Sequence, residues 1–353
     1  MIDLKILTWE VVMDRTSLQI LRAVWKKPLD VWELVIMQDN DIKNTYETLN
    51  SLKDKGLIEY SKNKIKITEK GIDELIKENA IPYIDTKCEY CRGKIYDPKN
   101  FKEILDVFKE IFANRPMETT EFDQGVVSEE NSVRRLEFVY ERGDLEGREI
   151  FFLGDDDLTS IVFALSKMPK RVVVFDVDRR IIEYIKEVSK KYNLNIEAYE
   201  YNASNKLDEK FVNKFDTFLT DPVETVKGMR LFLSRCVQSL KGKGAAGYFG
   251  LSHFESSLKK WYEIERDLLE MNLVITDMLR DFNEYLLVGE RILHEGYYVV
   301  EKSPVEVLPP TISWYRSTFI RVELIDTAKP KIVESVSWDR SLYFDDETYV
   351  VRP

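Results

Sequence analysis

The chain has 353 residues, 44% hydrophobic and 33% charged, with a net charge of −11 and only 3 Cys; that length supports about two domains with their own cores. The acidic balance disfavours nucleic acid as a partner, and three cysteines exclude a disulfide framework. No apolar run approaches the ~20 residues that cross a bilayer, and the start, Met1-Ile2-Asp3-Leu4-Lys5, has no signal core, so no membrane association is expected and the cytoplasm is the expected location.

Residues 1–80 read as a winged helix. Leu18, Leu21, Val24 and Trp25 are spaced for a helix over Thr16 to Trp25. A short helix follows over Val31 to Met37. A third runs from Asp39 to Lys55, with Ile42, Tyr46, Leu49 and Leu52 on one face and Gly56 as its stop. Alternation from Leu57 to Thr68 around Lys62-Asn63 signals a hairpin, and Thr68 caps a closing helix. Such modules bind DNA through the third helix. Here that helix mixes Lys43, Lys53 and Lys55 with Asp41, Glu47 and Asp54, so it lacks a basic stripe. A docking or dimerisation role is the expectation.

Residues 81–118 form a connector with Cys88-Glu89-Tyr90-Cys91 and an amphipathic helix near Asn100 to Asn114. A C-x-x-C pair is half of a four-ligand zinc site. The third cysteine, Cys236, and the only histidines, His253 and His294, lie far away in the chain. Two reduced thiols are the simpler reading, and no metal is expected.

Residues 119–303 alternate strand and helix. Strands are predicted at Arg148 to Leu153, Arg171 to Phe175, Asn195 to Tyr199, Phe215 to Thr220, Gly244 to Gly250 and Leu273 to Leu279. Helices are predicted at Leu158 to Lys167, Arg179 to Lys191 and Glu224 to Leu240. This order predicts an α/β, Rossmann-like, doubly wound parallel sheet of the class I methyltransferase type, with its site at the carboxyl ends of the strands. Residues 304–353 form a tail. It comprises a proline-bearing linker, a strand over Thr311 to Leu324, and an acidic-aromatic end carrying Trp338, Tyr343, Asp345, Asp346, Glu347 and Tyr349.

Polar clusters fall at the predicted strand ends. The first turn is Gly154-Asp155-Asp156-Asp157. A dinucleotide site wants G-x-G-x-x-G there, whereas three carboxylates repel phosphate and favour a cation such as an S-adenosyl sulfonium. Acids in a first turn also stabilise a helix dipole, but three in a row point to a ligand. Asp176, about twenty residues on, stands where an acid accepts ribose hydroxyls, with Val177 beside it. Asn202 and Ala203 follow the third strand, facing the adenine or forming a turn. Asp221-Pro222 is similar to the [N/D]-P-P-x turn that holds an amine beside a sulfonium, with Val223 in place of the second proline. Glu224 is a helix-capping acid or an ammonium anchor. Phe122-Asp123-Gln124 precedes the first strand, where a loop folds over a cofactor or forms a surface turn.

Taken together, Gly154-Asp155-Asp156-Asp157, Phe175-Asp176-Val177-Asp178, Asp221-Pro222, the winged helix and Phe122-Asp123-Gln124 resemble the branched-chain polyamine synthases over nearly the whole chain. The resemblance implies an aminopropyltransferase. Its donor would be decarboxylated S-adenosylmethionine and its acceptor the central amine of spermidine or a related polyamine. It also implies that the third Asp of the triplet, Asp157, acts on the attacking amine. Gly154, Asp155, Asp176, Val177, Asn202 and Ala203 are then expected at the nucleoside, and Gln124, Asp156, Asp221, Pro222 and Glu224 at the polyamine. A homo-oligomer, dimer or tetramer, is expected. The rivals are an S-adenosylmethionine-dependent N-methyltransferase, which would want a Gly-rich first turn, and a winged-helix regulator with a ligand-sensing domain.

Overall fold

The computed structural model describes residues 13–86, 95–119, 124–294 and 296–350. Cys88, Cys91, Phe122 and Asp123 lie outside them. No helix among the described residues is long and apolar enough to cross a membrane.

The first module contains helices α1 (Arg15–Lys26), α2 (Val31–Val35) and α3 (Ile42–Asp54), the hairpin β1 (Ile58–Ser61) and β2 (Lys64–Ile67), and α4 (Glu69–Lys77). Each helix starts on a side-chain cap that satisfies an otherwise unpaired N–H: Asp14, Asp30, Asp41 and Thr68. Its apolar faces do not close on themselves alone. Trp32 packs on Trp314 at 4.7 Å between ring centroids and donates to the Leu308 carbonyl. Tyr46 on α3 donates to the Val299 carbonyl at 2.8 Å, and the Ile42 N–H reaches the Phe254 carbonyl. One core therefore runs from α1–α3 into Phe254, Tyr285, Trp314 and Tyr315.

The second module opens with α5 (Lys102–Phe112) and α6 (Glu129–Glu141). It continues through β3 (Glu149–Leu153), α7 (Thr159–Leu165), β4 (Arg171–Asp176), α8 (Arg179–Tyr192), β5 (Ile196–Glu200), β6 (Thr217–Thr220), α9 (Val226–Ser239) and β7 (Ala246–Leu251). The last elements are α10 (Leu258–Glu270), β8 (Leu273–Glu284), α11 (Arg291–His294), α12 (Tyr298–Glu301) and β9 (Arg316–Leu324). The sheet order is β5-β4-β3-β6-β7-β9-β8, a Rossmann-like α/β arrangement. Side chains alternate across the central strands. Ile150, Phe152, Val172 and Val174 enter the core with α5 to α8, while Phe151, Leu153, Val173 and Phe175 enter the core with α9 and α10. Both faces are thus covered, as parallel strands require.

Three expectations change. The sheet is mixed, because β9 runs antiparallel to both β7 and β8. The strand assigned to the tail therefore belongs to the sheet, and a boundary at residue 304 would cut it. Helices α6 and α10 also emerge where no helix was read. In α6 the polar Asn131, Ser132, Arg135 and Glu137 are buried along with the apolar residues, so no apolar stripe marks its inner face.

Candidate active site

The order of strands reverses on either side of β3, between β4 and β6, and such a switch point opens a crevice beyond the strands' carboxyl ends. The main cavity lies there. Residues just past β3, β4, β5 and β6 line it, joined by Glu255 from the loop after β7. Tyr285 follows the end of β8, and Tyr315 precedes the reversed β9. Both strand ends meet the same rim because β9 runs the other way.

The triplet does not act as one unit. Gly154 takes φ +78°, a left-handed turn that suits glycine, and sends the three carboxylates apart. Asp155 turns inward. Its oxygens accept the Ser160 N–H at 3.1 Å and the Ser160 hydroxyl, and only 2% of the residue is exposed. Asp157 is 3% exposed. It accepts Arg135 Nη1 at 2.5 Å and the Thr159 N–H and hydroxyl. Asp156 lines the main cavity, where one of its oxygens accepts the Gly125 N–H at 3.0 Å. Burial, then Asp157 and the neighbouring acids, hold the Asp156 carboxyl well above the usual range. Burial does the same for Asp155.

On the β4–β5 side Asp176 braces the first turn. Its oxygens accept the Asp155 N–H at 2.8 Å and the Asp178 N–H at 2.7 Å. Burial pushes its pKa up to about 6 despite those bonds. Val177, Asn202, Ala203, Phe175, Tyr201 and Phe232 line the cavity nearby. Asn202 Oδ1 accepts the Ser204 N–H at 2.9 Å and the Ser204 hydroxyl at 2.7 Å. Gln124 also lines the cavity, while its amide bridges the Thr119 N–H and Asp178.

On the opposite side Asp221 and Pro222 leave β6. Asp221 Oδ2 accepts Arg135 Nη2 at 3.1 Å and the Tyr285 hydroxyl at 2.7 Å. Glu224 is not the helix cap, since the Thr225 side chain caps α9. Instead Glu224 accepts the Ser252 N–H at 2.7 Å and hydroxyl at 2.8 Å. Burial, then the neighbouring Glu255, raise it to about 7. Glu255 accepts the Tyr349 and Val350 N–H groups at 2.7 Å and the Tyr315 hydroxyl at 3.1 Å. Burial raises Glu255 as well. Lys260 reaches the rim, but it donates to the Glu255 carbonyl and pairs with Asp345 at 2.9 Å. Tail residues Tyr343, Thr348 and Val350 complete that wall.

Residues 103–350 match the family model of the branched-chain polyamine synthase A C-terminal domain. The chain belongs to the branched-chain polyamine synthase family. It is 37% identical to the N(4)-bis(aminopropyl)spermidine synthase of Thermococcus kodakarensis over 343 residues, 96% of this chain and 95% of that one. It is 39% identical to the synthase of the same name from Methanocaldococcus jannaschii, over 96% of this chain and 95% of the relative. In fold it is similar to the crystal structure of the branched-chain polyamine synthase of Thermus thermophilus, with a TM-score of 0.81 and 31% identity over 96% of this chain and 93% of that one. That crystal structure holds N4-aminopropylspermidine and 5′-methylthioadenosine.

Set beside this synthase fold, the residues read from sequence divide in two. Gln124, Gly154, Asp156, Asp176, Val177, Asn202, Ala203, Asp221, Pro222 and Glu224 all border one cavity. Asp155 and Asp157 do not, because Ser160 and Arg135 hold their carboxylates in the wall behind it. Sequence reasoning missed Arg135, Glu255, Tyr285 and Tyr315. The one available signal was the Trp314-Tyr315-Arg316 run at the start of β9.

Proposed function

We propose that the protein transfers the aminopropyl group of decarboxylated S-adenosylmethionine to the secondary amine of spermidine. The product is N(4)-aminopropylspermidine, then N(4)-bis(aminopropyl)spermidine, with 5′-methylthioadenosine released. One observation carries this reading: Asp156, Asp176, Asp221, Glu224 and Glu255 border the cavity, against Lys260 as the lining cation, which is itself paired. Such a wall disfavours phosphate and concentrates polycations. Raised carboxyls there recover their charge when ammonium groups arrive.

The donor is a sulfonium with an extra ammonium, and its positive sulfur supplies the leaving group without a Lewis acid. Each Asp176 oxygen accepts one backbone N–H and keeps a lone pair for a ribose hydroxyl. Phe175, Tyr201 and Phe232 offer aromatic surface to the base. At the other end Glu224 and Glu255 anchor a terminal ammonium, and Tyr285 and Tyr315 flank the polyamine through cation–π contacts. Asp156 takes the proton of the attacking amine, in the role the resemblance gave to Asp157. A bond then forms between that nitrogen and the aminopropyl carbon, the carbon–sulfur bond breaks, and its electrons stay on sulfur. Holding both cations in line contributes several kcal/mol.

The first module, with its capped helices and hairpin, reads as a winged helix used for docking. Its α3 is committed to Val299 and Phe254 behind the polyamine wall, which leaves a DNA-reading role without support.

Incubation with decarboxylated S-adenosylmethionine and spermidine, followed by mass spectrometry, tests the assignment. Gain of one and then two aminopropyl groups is expected. No product, or methylated spermidine when S-adenosylmethionine is supplied, overturns it.

A further inference from the structure

Arg135 sits on α6, 5% exposed, behind the wall of carboxylates. Its Nη1 donates to Asp157 at 2.5 Å, its Nη2 to Asp221 at 3.1 Å and its Nε to Asn283 at 2.9 Å. The guanidinium also lies 5.3 Å from the Phe319 ring. Burial works against its charge, and Asp157 and Asp221 outweigh that, so it remains a cation. Asn283 is itself fixed by Ser317 at 2.9 Å and lies near Asn131 at 3.3 Å. A planar fork with three directed bonds cannot be reproduced by a lysine.

We propose that Arg135 is a positioning residue that divides the labour among the acids of the site. By bridging Asp157 and Asp221 it ties up one carboxylate behind the wall and fixes the other at the rim. Asp156 is thereby left as the acid open to the attacking amine. This inference rests on the aminopropyl-transfer reading.

The geometry carries the argument. Asp157 and Asp221 come from the ends of β3 and β6, the two strands flanking the switch point. Arg135 ties those ends together from outside the sheet. The groups facing Asp156 are Asp155, Asp157, Asp176 and Asp221, with the Gly125 N–H on one oxygen. Those facing Asp221 are Arg135, Asp156, Asp157 and Tyr285. Arg135 is therefore the buried cation coupled to this set. Loosening it leaves more uncompensated negative charge around Asp156 and frees Asp221 to swing.

The test is R135K, compared with the parent in steady-state aminopropyl transfer across pH and in 5′-methylthioadenosine binding. Expected are a fall in kcat of about a hundredfold from the misplaced Asp221 and an acid limb of kcat/KM about one pH unit higher. Methylthioadenosine affinity should stay within a few-fold, because no nucleoside-side residue touches Arg135. Parental kcat with an unmoved acid limb overturns the proposal, as does equal loss of turnover and nucleoside binding. If R135K does not fold, N283A takes its place; of the guanidinium nitrogens it frees Nε alone, and it also releases Ser317 and Asn131. A smaller fall in kcat and a shift in the same direction support the idea, and parental behaviour overturns it. A parent that makes no aminopropylated product would instead sink the functional reading itself.

Discussion

Asp176 reaches from the end of β4 to accept the Asp155 N–H at 2.8 Å, and so locks the first turn to its neighbouring strand. The acid expected to hold a ribose thus also shapes the loop that presents Asp156. D176N should weaken 5′-methylthioadenosine binding by about 1.5–3 kcal/mol, the worth of a lost charged hydrogen bond, and lower turnover as well. Calorimetric titration checks this, and unchanged affinity would remove Asp176 from the nucleoside site.

The two remaining members of the triplet separate by what is lost. D156N should cut kcat by about 10²–10⁴, the usual worth of a positioned base, while the melting temperature of the ligand-free protein holds or rises as a crowded carboxylate is removed. D157N breaks a buried ion pair and should cost about 3 kcal/mol of stability, seen in chemical unfolding. If D156N turns over at the parental rate, the amine's proton goes elsewhere.

Half-buried Glu224 and buried Glu255 lie side by side, and Lys260, the lining cation that eases their charge, is itself paired with Asp345. E224Q should raise the KM for spermidine about tenfold, the loss of one charge-assisted bond. It should also raise the melting temperature of the ligand-free protein by removing a like-charge neighbour. An unaltered KM would place the terminal ammonium at another wall.

Acidification should first stabilise the ligand-free protein. A carboxyl held above its unfolded value keeps its proton longer when folded, so stability grows as pH falls through the folded pKa. Glu224 and Glu137 contribute from about 7 and Asp176 from about 6, with Asp155, Asp156 and Asp221 in the same direction. His253 opposes them. Burial lowers it to about 4, so the unfolded chain takes up its proton first and stability is lost below the usual 6.5. The acids outnumber it, and the melting temperature should rise from pH 7 to pH 5. Bound spermidine, which keeps the acids ionised, should flatten that rise. A fall over this interval without ligand would contradict the burial of these carboxylates.

Gly250 on β7 lies under Asp221. A Cβ there would stand 2.4 Å from Asp221 Oδ1 and 3.0 Å from Ser317 Oγ. G250A should displace the carboxylate by the better part of an ångström and cut kcat by about a hundredfold, while nucleoside affinity holds. Parental kcat would show that Asp221 need not be fixed.

Much of this site was legible because a βαβ alternation says where to look. Asp156, Asp176 and Asp221 all follow strands whose apolar runs are plain in the text, and Glu224 comes three residues after Asp221. What the text hides is direction. Asp155, Asp156 and Asp157 are the same residue type in succession, and only the left-handed turn at Gly154 and the partners Ser160 and Arg135 decide which faces the cavity. Arg135 was invisible because α6 buries polar and apolar residues together. Tyr285 and Tyr315 were hidden because their strands reach the rim through a reversal of β9 that local sequence does not encode. Of the two readings open for Glu224, the cap fails because its neighbour Thr225 takes that job.

The place of β9 bears on how the molecule is made. The strand that fills the gap between β7 and β8 leaves the ribosome only after both of them. Until then two rows of backbone donors and acceptors stand open, the kind of unpaired border that recruits other nascent chains. A release factor acting early, or a protease trimming past residue 316, would not yield a smaller enzyme. It would yield a split sheet whose pocket has lost Tyr315 and gained two sticky borders.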